Sequence, residues 1–256
     1  MLRTGYLFTI QKKTIMKQIF KVSAILALFL TAIQASAQTQ RKWEDIDTSG
    51  FHKTEVIEKK GITLTIINKD SLFNTNTIQH MADVFWTVYP EEMKRFNKKS
   101  SRKVTMLISD DYKGVAATGN SIIKIDEAYM TAHPEDVDVI THEAMHIVQA
   151  YNFQAETLWL SEGIADYVRY TYGVNNKKAG WSLPPYRVGQ SYHNSYRISA
   201  RFLVWVEQHK RRNLVNKLDK AMRKGSYTAD MWVKLTGKNV DELWSEYIAD
   251  PSLAQS

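Results

Sequence analysis

The 256-residue chain has no cysteine and only five prolines. Without thiols it can build no disulfide, no thiolate metal site and no cysteine nucleophile, so outside a reducing compartment its stability has to come from the packed core. A long apolar run is missing as well. The most apolar stretch, Val22 to Ile33, has 12 residues, where a bilayer needs about 20. A strong charge of one sign is also missing once the start of the chain is set aside. The formal charge is +7, but residues 1–37 hold five of the 34 basic residues and no acid, which leaves 29 against 27, a net of +2. With no arginine-aromatic RNA motif either, no nucleic-acid partner is expected.

What is present begins with an address. Lys17 and Lys21 lead into the apolar run and Ala35-Ser36-Ala37 closes it, the pattern of a signal peptide with an A-x-A cleavage site over residues 1–37. Met16, directly before the basic stretch, is a second candidate start. The expectation is an exported chain, periplasmic or extracellular, with no stable membrane insertion after cleavage. Residues 38–60 read as an irregular lead-in with room for one short strand, and residues 61–256 as a single domain, for which seven Trp and thirteen Tyr supply large burying surfaces.

Within that domain the hydrophobic period changes partway. Ile62 to Ile67 alternates as a half-buried strand does, Val104 to Ile108 and Ser121 to Ile125 read as two more, and Thr77 to Phe96 carries a helical stripe with Pro90 as a kink or break. From His133 onward helical periods take over: Val137 to Ala150, then Leu158 to Tyr172 with Gly173 as a left-handed stop. After a surface loop from Asn175 to Gly189, further helices are expected at Tyr196–His209, Leu214–Lys224, Ala229–Leu235 and Val240–Ile248. Trp159, Trp205, Trp232 and Trp244 fall at helix-core spacings, so a core role is preferred to a sugar-binding platform. The outcome is an α+β arrangement: a small N-terminal mixed sheet with a helix, then a mostly helical C-terminal half.

His142-Glu143-Ala144-Met145-His146 is an H-E-x-x-H sequence on a predicted helix, which sets two imidazoles one turn apart on one face, able to share a metal ion. Glu143, rotated by about 100° from His142, can point beside that metal toward a water and act as general base. A catalytic zinc of this kind needs one further protein ligand and an open position. Glu162, 16 positions after His146 on the next helix, supplies it if a short polar turn folds the second helix back on the first. Asp166, one turn beyond, can accept the remaining ring proton of a ligand histidine. Gly163, costly in a helix by about 1 kcal/mol relative to Ala, is explained if helices or metal approach closely there. The competing reading makes Glu162 and Asp166 a solvated face paired with Arg169 or Lys177. Two neutral imidazoles and one carboxylate would leave Zn²⁺ positively charged, which suits hydrolysis better than a structural role. His193, near Tyr192 and Tyr196, is retained as one further candidate; Lys210-Arg211-Arg212 reads as a solvated helix junction.

These residues resemble the basic secretory protein family of plants and bacteria. His142-Glu143 through His146 and Gln149 is similar to its first zinc helix, and Glu162-Gly163-Ile164-Ala165-Asp166-Tyr167-Val168-Arg169 to its E-G-I-A-D-Y-V-R block. Tyr196 with Ala200-Arg201-Phe202-Leu203, and Thr236-Gly237-Lys238 with Val240 to Trp244, resemble its later segments. The resemblance implies a zincin-like fold and a zinc-dependent peptidase acting on peptide or protein substrates, with Glu162 as third ligand and Asp166 behind a histidine. It also makes Tyr196 a candidate donor to the oxyanion, the other reading being a core tyrosine with a bonded hydroxyl; Arg201 reads as structural. By analogy with zincins, Ser121 to Ile125 would be the sheet edge that pairs with an extended peptide, with Ala117 to Asn120 lining the cleft. Val148 and Ala150 stand where the family has aromatics, which bears on pocket shape and not on the metal ligands. The alternative from another class is a zinc-bearing binding or defence protein without turnover.

Overall fold

Lys60 and Gly61, with φ of 53° and 70°, make the two-residue turn that returns β1 (Lys53–Lys59) antiparallel onto β2 (Ile62–Asn68). Positive φ at both centres is what a tight hairpin needs to match strand twist. The computed structural model describes residues 51–152 and 154–254. The signal peptide with its Ala35-Ser36-Ala37 site, the Met16 start and the lead-in up to residue 50 lie outside the described residues.

From β2 the chain crosses through helix α1 (Thr75–Arg95) to β3 (Lys103–Ser109), parallel to β2. It then makes a second tight hairpin, β4 (Ala116–Gly119) to β5 (Ile122–Asp126), turning on Asn120 and Ser121 with φ of 50° and 61°. The sheet order is β1-β2-β3-β5-β4, with β5 parallel to β3. Two expectations are corrected here. β5 sits between β3 and β4, so the free edge on that side is β4, whose small residues show no alternating pattern in sequence. α1 runs through Pro90 without a break, because Val88, Tyr89, Glu92 and Met93 keep burying the same face on both sides of it; the proline removes one backbone donor but holds a helical φ.

Leu64, Met106, Ile108, Ile123 and Ile125 are completely or almost completely removed from solvent, and the stripe Met81, Ala82, Phe85, Val88 and Tyr89 of α1 joins them in one core. A short helix α2 (Glu127–Ala132), capped by the Asp126 carboxylate on the Ala128 N–H at 3.0 Å, leads to α3 (Val139–Gln149). α3 packs against α1 and lies over β4 and β5. It ends on Ala150 in the left-handed conformation, φ 45°. α4 (Leu158–Tyr172) returns against α3, and it stops where Gly173 turns to extended backbone, φ −58° and ψ 134°. Gly173 is therefore not the left-handed stop expected from the sequence; the left-handed cap belongs to Ala150, at the end of α3. The backbone of the α3–α4 connection reverses within eight residues, 150–157, and Ala150 begins that reversal with its N–H bonded to the His146 carbonyl at 3.2 Å.

α5 (Tyr196–His209) lies along α4, followed by α6 (Leu214–Arg223), α7 (Asp230–Thr236) and α8 (Val240–Ala249). Trp159, Trp205 and Trp232 are buried and Trp244 packs against the same core, so this aromatic set is interior. Among the described residues no helix is long and apolar enough to cross a membrane. The architecture is α+β, a small N-terminal mixed sheet with its helix and a mainly helical C-terminal half.

Candidate metal centre

His142 and His146 occupy one face of α3, and α4 brings Glu162 opposite them. His142 Nε2 lies 3.1 Å from His146 Nε2 and 3.2 Å from Glu162 Oε2, and His146 Nε2 lies 3.4 Å from the same oxygen. What stands behind each ring decides what those three atoms are. His142 Nδ1 is 2.7 Å from Asp166 Oδ1, a pure acceptor, so Nδ1 carries the proton. His146 Nδ1 is 2.7 Å from Gln149 Oε1, and the amide cannot be turned round, since Gln149 Nε2 donates to the Ser161 carbonyl at 2.8 Å. With both rings neutral, each therefore presents an unprotonated Nε2 to a carboxylate oxygen. In that state three acceptors converge with no donor between them.

Such a triangle calls for a cation. Ligands on a tetrahedral zinc at about 2.0–2.1 Å stand about 3.3 Å apart, and the three separations bracket that figure. Among the described residues these are the grouped side chains whose donor set suits a metal. Without an ion the same negative surroundings act on protons. Burial opposes a charge on His142, yet the hydrogen bonds to Asp166 and Glu162 override it and raise its pKa to about 10. Burial likewise favours a neutral Glu162, but His142 and His146 hold its carboxyl far below the ordinary range.

Glu143, 5% exposed, points to the other side of the cleft. Its Oε2 accepts from the Thr118 hydroxyl of edge strand β4 at 2.7 Å, which ties the carboxylate to that strand. Tyr196 is 55% exposed, its ring stacked over His142 at 6.1 Å between centroids. Burial and then the charges of Glu162, Glu143 and Asp166 push its phenol up, so it keeps its proton. Ser195 and Tyr196 both have positive φ, 66° and 48°, and this strained entry to α5 delivers the tyrosine into the cleft. The cleft has a volume of about 1010 Å³ and is lined by His142, Glu143, His146, Glu162, Tyr196 and by Ala117 and Thr118 of β4, among others.

The solvated-face alternative is not what the structure contains. Arg169 pairs with Asp136 and lies over Trp181 at 4.5 Å, leaving Glu162 and Asp166 to the imidazoles. His193 packs at a tilt against Tyr192 and edge-on against Trp159 instead of lining the cleft, and Arg201 donates to the Pro251 carbonyl at 3.0 Å. Gly163 is explained by a helix contact other than the one at the metal: a Cβ there would stand 2.7 Å from Ser199 Cβ of α5. Two partnerships escaped the sequence reading, although the sequence sets both Gln149 and the segment holding Thr118 near the site. Gln149 follows His146 by three positions, a helical neighbour spacing that could have revealed its role. Thr118 comes from a strand with no sequence signal linking it to Glu143.

The family described as "Peptidase of plants and bacteria" matches residues 66–247. No curated protein matches the chain. Among solved structures, an aminopeptidase N family protein from Idiomarina loihiensis is 13% identical with a TM-score of 0.48, over 79% of this chain and 47% of that one. An M1 zinc metallopeptidase from Deinococcus radiodurans is 10% identical with a TM-score of 0.39, over 78% and 47%. A mutant of the latter, bound to a Tyr-Ser-Ala substrate, is 12% identical with a TM-score of 0.39, over 77% and 48%. The chain thus spans about half the length of the solved structures it matches.

Proposed function

The chain belongs to the family of peptidases of plants and bacteria, and on that footing we propose that it is an exported zinc-dependent peptidase that hydrolyses peptide bonds with Glu143 as general base. The observation that carries the reading is the convergence of His142 Nε2, His146 Nε2 and Glu162 Oε2, with Asp166 and Gln149 behind the two rings holding both Nε2 atoms toward one point.

A zinc ion held by these three residues would polarise the scissile carbonyl and lower the pKa of the attacking water. The chain's own groups do the rest. Asp166 and Gln149 keep both Nδ1–H bonds occupied, which holds each imidazole in the ligating tautomer. Glu143 takes the proton of the attacking water and passes it to the leaving amine, and the Thr118 hydroxyl aims the carboxylate. Tyr196, still protonated, donates to the oxyanion as it forms. The substrate backbone runs along the exposed edge of β4, where Ala116 and Ala117 leave room. Export rests on the residue 1–37 pattern, and N-terminal sequencing of the exported protein should begin at Gln38.

The reading is tested by incubating the purified exported protein with a mixed peptide library, with and without a chelator. New peptide termini should form only in the chelator-free reaction. Glu143→Gln should lower turnover by about 10²–10⁴ while still holding one zinc per chain by elemental analysis. Undiminished turnover in that variant, or no stoichiometric metal in the wild type, would rule the mechanism out. Bound zinc with no cleavage of any library member would favour a non-catalytic binding protein.

A further inference from the structure

The charged side chains that line the cleft are almost all engaged. Asp166 receives His142, Glu162 faces both imidazoles, and Glu143 accepts from Thr118. Asp136 accepts from the Tyr129 hydroxyl at 2.5 Å and pairs with Arg169, which is held further by Asn176 and covered by Trp181. Arg197 differs. It is exposed, it lines the same cleft, and among the described residues its guanidinium has no hydrogen bond, ion pair or aromatic face.

Its place adds to the case. Arg197 follows Tyr196, whose ring stacks over His142, and its charge acts on the Tyr129 hydroxyl across the cleft. It stands in the first turn of α5, which has no acidic residue and no side-chain cap. A cation is unfavourable at that end of a helix dipole, so the arginine does nothing for the helix it begins. What it offers is a planar fork of donors matched to a carboxylate.

We propose that Arg197 selects substrates bearing a carboxylate close to the scissile bond, held by its guanidinium in the cleft it shares with the metal-facing residues. The carboxylate is that of an acidic side chain or of the substrate's own C-terminus. This specificity rests on the peptidase reading above.

The test uses a random hexapeptide library, half with free and half with amidated C-termini, against the zinc-loaded exported protein. Wild type should cleave Asp- or Glu-containing members over their Asn or Gln counterparts, or free over amidated termini, by about tenfold. The preference should fall toward unity in Arg197→Ala, recover in part in Arg197→Lys and fade at high salt. Which of the two contrasts collapses identifies the source of the carboxylate. An acid-to-amide ratio identical in wild type and Arg197→Ala overturns the inference. Peptides retained by zinc-loaded Glu143→Gln, with and without Arg197→Ala, give a readout free of turnover. If wild type cleaves nothing but this variant retains acidic peptides through Arg197, the peptidase reading fails and Arg197 stands; if neither assay distinguishes acid from amide, Arg197 is overturned whatever the turnover.

Discussion

His142 and His146 differ in what holds the far side of each ring, a carboxylate for one and a carboxamide for the other. The carboxylate raises the basicity of His142, and in the metal-free protein its proton lies between the three metal-facing atoms. Its folded-state pKa of about 10 lies above the ordinary histidine value of 6.5. That proton therefore stabilises the metal-free fold fully below about pH 6.5, and the contribution disappears as pH rises through about 10. Zinc must expel it. Calorimetry at about pH 8 in buffers of different ionisation enthalpy should record close to one proton released per zinc bound. Asp166→Asn should reduce that release and weaken zinc binding by about 10–100-fold; an unchanged proton count in the variant would contradict the account.

Among the elements, the α4–α5 contact sets where Glu162 stands. Gly163 is its neighbour in sequence, and any Cβ at 163 meets Ser199 at 2.7 Å. Ser199 cannot simply turn aside, because it is buried and its hydroxyl is bound to the Tyr192 carbonyl at 2.5 Å. Gly163→Ala would gain about 1 kcal/mol of helix propensity and lose about 1–3 kcal/mol to overpacking. The melting temperature of the zinc-free protein should fall by a few degrees, with zinc affinity falling too as α4 shifts. Adding Ser199→Gly should recover part of both losses. A Gly163→Ala protein that melts higher than wild type would show that the close approach is not limiting. Asp138 works at the same scale: its buried carboxylate accepts from the Val174 and Asn175 N–H groups at 3.0 and 2.5 Å, joining the start of α3 to the chain leaving α4.

For the molecule as a whole, one cost stands out in the layer between α1 and the metal helix. Glu92 is fully buried, and among the described residues neither carboxylate oxygen has a hydrogen-bond partner. Burial pushes its pKa well above the ordinary value, so folding requires it to take up a proton. The penalty sets in as pH rises past the unfolded-state pKa near 4.5 and grows until the folded-state value is passed. Glu92→Met, of similar length and without the unpaired oxygens, should raise the melting temperature, and by more at about pH 8 than at about pH 5. A gain of about 1–3 kcal/mol is expected from removing an unsatisfied buried polar group. Equal shifts at the two pH values would point to a partner that keeps Glu92 ionised.

The sequence by itself determined the pieces whose signal is local. H-E-x-x-H on a helical period sets the two imidazoles side by side, because residues four apart share a helix face. The limits of α4 and α5 follow from periodicity, as does the strand core from Ile62 to Ile67. Tertiary structure decided whatever depends on how far one element stands from another. It placed β4 and not β5 at the open edge, where Thr118 meets Glu143. It paired Arg169 with Asp136 instead of the metal-facing carboxylates, drew Gly163 against Ser199, and carried α1 through its proline. The physical reason is that local periodicity specifies which face of a helix or strand is apolar. Which neighbour covers that face, and so which polar side chains meet across it, is settled only when the whole core closes.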